Sequence, residues 1–189
     1  SDKINFMAKE GRGLICCSLE SERCEDLNLD LMVGKNTDIF GTSFTVSVDL
    51  KGNGVSTGIS ASDRSKTIKA LVDSKTKPSD FTKPGHIFPL RSIDGGVLRR
   101  AGHTEASVDL PKLAGLFPSG VICEILNEDG SMARLNDLFK VADKHGLLII
   151  SIKDLIKYKI GKESLIEEKE TVDLPTKYGN FKLISFEQK

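Results

Sequence analysis

The sequence predicts an α+β protein (α/β layered), in which helices cover a mixed β-sheet. Short apolar runs rich in β-forming residues recur as GLICCSL, SFTVSVDL, GVICEIL and GLLIISI, and runs of this kind are typical of strands. Helical spacing with start and stop signals lies between several of them. A length of 189 residues suffices for one domain with a real core, or for a domain with a tail.

Three helices are predicted from their end signals. The first begins at Ser62, and the second covers residues 136–145 and stops at Gly146, where a glycine can adopt the left-handed cap. The third begins at Ser151, which has an aspartate three residues later as in a capping box, and ends near Gly161. The apolar faces of these helices are interpreted as core.

The stretch RRAGHTEASVDL has two interpretations that the residues leave open. In one, Thr104 is a helix N-cap, Glu105 lies favourably in the first turn, and the arginines form a solvated rim. In the other, the Arg100 side chain, the Gly102 backbone and the Thr104 hydroxyl surround an anion at a helix N-terminus. His103 would then offer a ring nitrogen to a metal.

The helix that follows this stretch contains a proline. Pro111 lacks a backbone donor and its ring clashes with the preceding turn, so we predict a bend or a split near Leu110. Gly115 and Pro118 then end the helix.

Three further polar positions have both a structural and a functional interpretation. Thr57 lies in the glycine-containing loop GVSTGISASDR, which is either a ligand-binding loop or a turn before a capped helix. His86 in KPGHIFPL is either a structural histidine or a catalyst. Glu124 in GVICEIL is either a carboxylate in a buried strand, which is costly unless paired, or a solvent-facing residue on an edge strand. A metal-assisted reaction on a small phosphorylated, hydroxylated substrate would use all of these groups.

Composition excludes several classes of function. Lysine plus arginine and aspartate plus glutamate both number 27, so no global field favours nucleic acid or an anionic membrane. No apolar run approaches the ~20 residues of a membrane span, and the N-terminus lacks the order of a signal peptide. We therefore expect a cytoplasmic protein that acts on a small molecule.

The cysteines have no spacing of a structural zinc site, since no C-x-x-C motif occurs. Cys16 and Cys17 are neighbours on a predicted strand, so they point to opposite faces and cannot easily pair. We expect reduced thiols.

Seven segments together resemble the 3,4-dihydroxy-2-butanone-4-phosphate synthase family of riboflavin biosynthesis over residues 5–158. The matching strings are GRGLICCSL, DLMVGKNTDIFGTSFTVSVD, STGISASDRSKTI, KPSDFTKPGHIFPLR, GGVLRRAGHTEASVDLPKLAGL, GVICEILNEDGSMAR and ISIKDLI. The resemblance implies the fold of that family and a lyase that converts D-ribulose 5-phosphate into 3,4-dihydroxy-2-butanone 4-phosphate and formate. It also implies Mg²⁺, with Mn²⁺ as a substitute, and a homodimer with active sites at the subunit interface.

The resemblance assigns roles to particular residues. His86 and Glu124 match the two positions essential for catalysis, and His103 matches a metal ligand. The residues implied to bind substrate are Arg100, Ala101, Gly102, His103, Thr104, Thr57 and Cys16.

The sequence also departs from the family pattern. Members of the family begin with a strand and an acidic loop of the form Asp-Arg-Glu-x-Glu-Gly-Asp, which supplies a metal ligand, and this segment does not occur in the sequence. The segment SDKINFM is also shorter than in the family, which has several more residues between the Asp-Lys pair and the helix that follows. We expect that loop to belong to the protein in addition to these 189 residues. Its loss would instead give a non-catalytic dimerisation partner or a sugar-phosphate-binding domain.

The organisation we predict has two parts. Residues 1–160 form the synthase domain, and residues 161–189 form a charged linker followed by one strand. That strand resembles the start of GTP cyclohydrolase II, so no second activity is assigned to it.

Overall fold

A computed structural model describes residues 1–162 and 166–188. The helices are α1 (Asp2–Phe6), α2 (Ser21–Asp26), α3 (Ala61–Val72), α4 (His103–Leu113), α5 (Leu135–His145) and α6 (Ile152–Ile160). The strands are β1 (Arg12–Leu19), β2 (Val48–Leu50), β3 (Phe81–Arg91), β4 (Ser119–Ile125), β5 (Ile166–Thr176) and β6 (Gly179–Gln188).

The central sheet has four strands in the order β2-β3-β1-β4. β1 pairs in parallel with β3, whereas the β2–β3 and β1–β4 pairs are antiparallel. The sheet is therefore mixed, and with its helices it confirms the predicted α+β fold class.

The main hydrophobic core lies on one face of this sheet. Cys17, Val48 and Ile87 from three different strands join one buried cluster with Ile68 and Leu71 of α3. Burying each large aliphatic side chain contributes about 1.5–3 kcal/mol. The opposite face of the sheet carries α4, which packs on β4 and β1.

The helix ends follow the sequence signals closely. α3 begins one residue before the predicted Ser62, because Ser60 is the N-cap and accepts a hydrogen bond from the third residue of the helix. α5 begins at Leu135 and ends at Gly146, which has the predicted left-handed conformation. α6 is capped by the Ser151 hydroxyl, as predicted.

Two strand predictions are wrong in whole or in part. Residues 147–150 form no strand, and Leu148 is 97% exposed. Only Val48–Leu50 of the run at 43–50 is a strand, while Phe44 and Thr45 form isolated bridges. An apolar run has strand propensity, but a strand also needs a partner to receive its backbone hydrogen bonds.

Pro111 does not split its helix, so of the predicted bend or split the second alternative is wrong. α4 continues through Pro111 to Leu113 and is followed by Gly115 at φ +70°. Proline deprives the carbonyl four residues earlier, on Ser107, of its helical donor. That carbonyl lies so close to Gly120 of β4 that a Cβ there would be 2.3 Å from its oxygen. The proline is tolerated because it lies in the last turn, where few helical bonds remain to be lost.

The tail differs from the predicted linker and single strand. β5 and β6 form a two-stranded antiparallel hairpin that includes residues 166–170 of the predicted charged connector. Residues 163–165 of that connector lie outside the described residues. Among the described residues, no helix combines the length and apolar character needed to cross a membrane.

Candidate active site

His86 on β3 is held at two points by Asp49 on the neighbouring β2. The backbone N–H of His86 donates to Asp49 Oδ1 at 3.0 Å, and its ring Nδ1 lies 2.6 Å from Oδ2. Because a carboxylate only accepts, Nδ1 is the donor of this bond, and in a neutral imidazole Nε2 is then the acceptor. The His86 side chain is 43% exposed, so an imidazole oriented by Asp49 lies within reach of solvent.

The loop that carries Thr57 lies beside this pair. Gly58, at φ +90°, packs so tightly against Asp49 that a Cβ would be 2.1 Å from its carboxylate. On the other side, Asp63 Oδ2 accepts from the Ser56 hydroxyl at 2.9 Å and from the N–H groups of Ser56 and Gly58 at 3.2 Å. Thr57 is exposed on a loop that is fixed from both sides.

Asp63 is suited to this role in its ionised state. Burial raises its pKa, but hydrogen bonds from Ser56, Gly58 and Ser60 outweigh burial and hold the pKa below its usual value. The sequence interpretation of this loop did not identify Asp63 as its anchor.

Cys16 and Glu124 lie on the sheet face opposite the core. Cys16 pairs with Phe88 of β3 and with Ile122 of β4. Side chains alternate along a strand, so His86 and Glu124, each two residues from those partners, share the face of Cys16. Three of the predicted site residues therefore belong to one face of three adjacent strands.

The carboxyl group of Glu124 and the thiol of Cys16 have different environments on this face. Glu124 is exposed on the edge strand β4, so the prediction of a buried strand around it is wrong and the solvent-facing alternative is confirmed. Cys16 is buried. Burial, helped by the negative Glu124, raises the pKa of Cys16 to about 12, so this thiol is neutral at ordinary pH. The other cysteines of the chain, Cys17, Cys24 and Cys123, are also free thiols.

Residues 100–104 lie at the N-terminus of α4, where Gly102 is the N-cap. Of the two interpretations of this stretch, the one in which Thr104 caps the helix is wrong, because Thr104 is buried in the first turn. Ala101 and His103 are exposed. The first-turn N–H groups and the helix dipole provide a setting for an anion.

The Arg100 side chain is held by hydrogen bonds to the protein and is not a freely solvated charge. Its Nη1 contacts Glu105 Oε2 at 2.5 Å, and its Nε and Nη2 donate to the Phe40 carbonyl at 3.1 Å and to the Thr42 hydroxyl at 3.2 Å. The side chain remains 20% exposed, and two of its five N–H groups have no partner in these bonds. Arg100 thus keeps donors for a ligand while its position is fixed.

The predicted residues form three separate groups. His86 with the Thr57 loop, Cys16 with Glu124, and residues 100–104 are joined by no hydrogen bond or ion pair within the described ranges 1–162 and 166–188. A cavity of about 550 Å³ near Arg99, Ser43 and Ile93 contains none of the predicted site residues. These groups therefore make no direct polar contact with one another in the described part of the chain.

A complete metal site is also not formed by these residues. Among the described residues, no three His, Cys, Asp or Glu side chains lie where they could share an ion. His103 is exposed, and a single imidazole does not provide the oxygen-rich set that Mg²⁺ prefers. The described part of the chain does not by itself fit a bound magnesium ion.

Sequence reasoning missed the acidic residues that hold these groups in place. Asp49, Asp63 and Glu105 each bind a residue or loop from a different element. For Asp49, the available signal was an acid between apolar residues in SVDL. Glu105 was recognised only as a favourable charge in the first turn of the helix.

Comparison with known proteins gives a consistent result. A family profile described as 3,4-dihydroxy-2-butanone 4-phosphate synthase matches residues 1–158. A riboflavin biosynthesis protein RibBA of Cytophaga hutchinsonii is 63% identical over 185 residues, which are 98% of this chain and 46% of that protein. The RibBA of Aquifex aeolicus is 57% identical over 189 residues, 100% of this chain and 47% of that protein. The chain thus spans about half the length of the curated relatives it matches.

Solved structures agree with these sequence matches. RibBX of A. baumannii, a two-domain 3,4-dihydroxy-2-butanone 4-phosphate synthase, has a TM-score of 0.88 at 48% identity and covers 99% of this chain and 55% of its own. A 3,4-dihydroxy-2-butanone 4-phosphate synthase in complex with two magnesium ions has a TM-score of 0.81 at 40% identity, covering 85% and 80%. The resemblance found in the sequence is confirmed, and this chain belongs to the 3,4-dihydroxy-2-butanone 4-phosphate synthase family.

Proposed function

We propose that residues 1–160 are the catalytic domain of a lyase that converts D-ribulose 5-phosphate into 3,4-dihydroxy-2-butanone 4-phosphate and formate. The observation that carries this proposal is the His86–Asp49 pair, in which a carboxylate fixes the ring and leaves Nε2 as an acceptor. Forming an enediol next to a carbonyl requires a base of this kind. Family membership over residues 1–158 supports the reaction.

The other predicted residues are assigned roles that follow the family resemblance. Arg100 and the first turn of α4 would bind the phosphate, together with Ala101, Gly102, His103 and Thr104. Glu124 is exposed on the edge strand β4, where its carboxyl group is open to a ligand, so we assign it the second catalytic role. Cys16 and Thr57 would contact the sugar, Cys16 as a neutral thiol.

We further propose that the protein depends on a divalent cation, Mg²⁺ or Mn²⁺, with His103 as one ligand. The magnesium-bound relative supports this proposal. Because His103 belongs to no group of three potential ligands among the described residues, further ligands would come from the acidic loop expected in addition to these 189 residues or from a second copy.

We also propose a homodimer with active sites at the subunit interface, as the family resemblance implies. Leu110, Leu113, Leu116 and Phe117 are exposed at the C-terminal end of α4 and just beyond it, and exposed apolar side chains of this kind favour association. We keep the proposal from the sequence that residues 161–189 lead into a GTP cyclohydrolase II-like region, and the relatives are about twice as long as this chain. A cytoplasmic location stays a prediction of the sequence.

The test is formate release from D-ribulose 5-phosphate by the full-length protein, with Mg²⁺ and with a chelator. We expect turnover that stops when the cation is removed and returns with Mg²⁺ or Mn²⁺. Substrate binding without any formate would refute the lyase proposal and leave a sugar-phosphate-binding protein.

A further inference from the structure

We propose that Glu105 and Asp109 of α4 are positioning residues that fix Arg100, the arginine proposed to bind substrate. Both act on the arginine loop, which we define as residues 93–102. The proposal rests on the proposed function, because it assigns these two acids a part in binding the same sugar phosphate. Neither acid was assigned such a role by the sequence.

Glu105 binds the two ends of the arginine loop. Its Oε1 accepts from the backbone N–H of Ile93 at 3.2 Å, and its Oε2 contacts Arg100 Nη1 at 2.5 Å. The residue is only 1% exposed. A buried carboxylate is costly unless it is paired, so this geometry uses Glu105 to fix Arg100 rather than to bind solvent.

Asp109 binds the middle of the same loop. Its Oδ2 accepts from the N–H of Val97 at 2.8 Å, and its Oδ1 contacts Lys159 Nζ of α6 at 2.7 Å. Both side chains of this ion pair are 5% exposed. The Gly96 carbonyl, which belongs to the same peptide group as the Val97 N–H, accepts from the N–H of Arg100 at 3.1 Å. A continuous chain of bonds therefore runs from α6 through Asp109 to the backbone of Arg100.

The two acids act together because of their spacing. Residues four apart in a helix lie on the same face, so Glu105 and Asp109 present two carboxylates to one loop. Glycine is required where the loop meets them. A Cβ on Gly96 would lie 2.3 Å from the Asp109 carboxylate, and one on Gly102 would lie 2.3 Å from Arg100 Nη1 and 2.6 Å from Glu105 Oε2. The loop is thereby pre-organised, which lowers the entropic cost of binding an anion.

The first experiment tests whether Glu105 acts through Arg100. Glu105→Gln in the full-length protein keeps the shape and removes the charge, so we expect KM for ribulose 5-phosphate to rise about tenfold or more while kcat changes less. In an Arg100→Ala background, the same change should raise KM no further. A Glu105→Gln protein with unchanged KM, or with an equal added effect in the Arg100→Ala background, would overturn the proposal.

Glu20→Gln is the matched control, because Glu20 also contacts a basic residue of α4, Lys112, at 2.7 Å but is more exposed than Glu105. It should leave KM within twofold. Calorimetric binding of inorganic phosphate separates this inference from the proposed function. Weaker phosphate binding by Glu105→Gln without formate from the wild-type protein would reject the function but keep the positioning role. Normal formate release by the wild-type protein, together with unchanged phosphate binding by Glu105→Gln, would keep the proposed function and reject the positioning role.

The second experiment isolates the contact of Asp109 with the loop. A single change at Asp109 would leave Lys159 buried without this carboxylate, so both partners are changed. Asp109→Asn/Lys159→Met keeps an acceptor for Val97, whereas Asp109→Ala/Lys159→Met removes it. We expect KM within twofold of wild type for the first variant and a several-fold rise for the second. Equal KM values in the two folded variants would reject the role of Asp109.

Discussion

Replacing Asp49 by Asn should disable His86 while leaving its position almost unchanged. The Asn carbonyl oxygen can still accept the backbone N–H of His86, which now donates to Asp49 at 3.0 Å. The amide nitrogen would then donate to ring Nδ1, where the carboxylate now accepts at 2.6 Å. The imidazole proton moves to Nε2, so the nitrogen that should act as base becomes a donor.

The size of the effect follows from these two bonds. One neutral hydrogen bond contributes about 1 kcal/mol, so the acceptor form of Nε2 falls to roughly a sixth of the population. Loss of the carboxylate beside a forming imidazolium removes a charge-assisted bond worth about 1.5–3 kcal/mol, or about 10- to 150-fold in rate. Together these losses predict a fall in kcat/KM of roughly 10²- to 10³-fold.

The assay is formate release from ribulose 5-phosphate, with the thermal midpoint as a check on folding. Asp154→Asn, a change to an exposed helix-capping acid that contacts Ser151, is the matched control and should keep full activity. Nitrogen chemical shifts of His86 would report the tautomer directly. A folded Asp49→Asn protein with kcat/KM within twofold of wild type would refute the assignment of His86 as a base oriented by Asp49.

Four further outcomes are expected. His103→Ala should abolish formate release without changing the far-ultraviolet dichroism spectrum, because the side chain is exposed and proposed to bind the cation. Arg100→Ala should weaken binding of ribulose 5-phosphate by about 1.5–3 kcal/mol in calorimetry but leave unphosphorylated ribulose unaffected. Gly120→Ala should lower the free energy of unfolding by about 1–3 kcal/mol, because its Cβ would meet the Ser107 carbonyl at 2.3 Å, whereas Gly161→Ala, with 3.6 Å to its nearest atom, should not. Burial raises the pKa of Cys24 to about 12. The buried thiol therefore contributes fully to stability below about pH 9, and this contribution is lost as the pH rises from there toward 12. In denaturant titrations, the free energy of unfolding of Cys24→Ala should fall less steeply over this pH range than that of the wild type.

Local signals in the sequence predicted the features that depend on local physics. The Ser151 hydroxyl and the left-handed Gly146 end their helices through contacts within a few residues, and such contacts can be read from adjacent letters. Residues 147–150 show the limit. Their composition favours a strand, but whether a strand forms depends on a partner that the run does not encode.

The candidate site divides in the same way. The residue types that carry the proposed chemistry, such as His86 and Arg100, could be selected from the sequence with the help of the family resemblance. Their supports could not, because Asp49 reaches His86 across a sheet in which β2 and β3 are 30 residues apart in the chain. Glu105 binds Ile93 and Arg100 through a loop whose shape depends on the packing of α4. Only tertiary structure brings these pairs together.

The contact between Ser107 and Gly120 limits how the molecule can respond to a ligand. Without a donor from Pro111, the Ser107 carbonyl projects onto the backbone of β4, and no side chain separates the two elements there. A shift of α4 along its axis by one residue, about 1.5 Å, would bring another side chain into a space that admits only hydrogen. The helix and strand must therefore move as one body. Structures with and without a bound sugar phosphate should therefore superpose closely on α4 and β4.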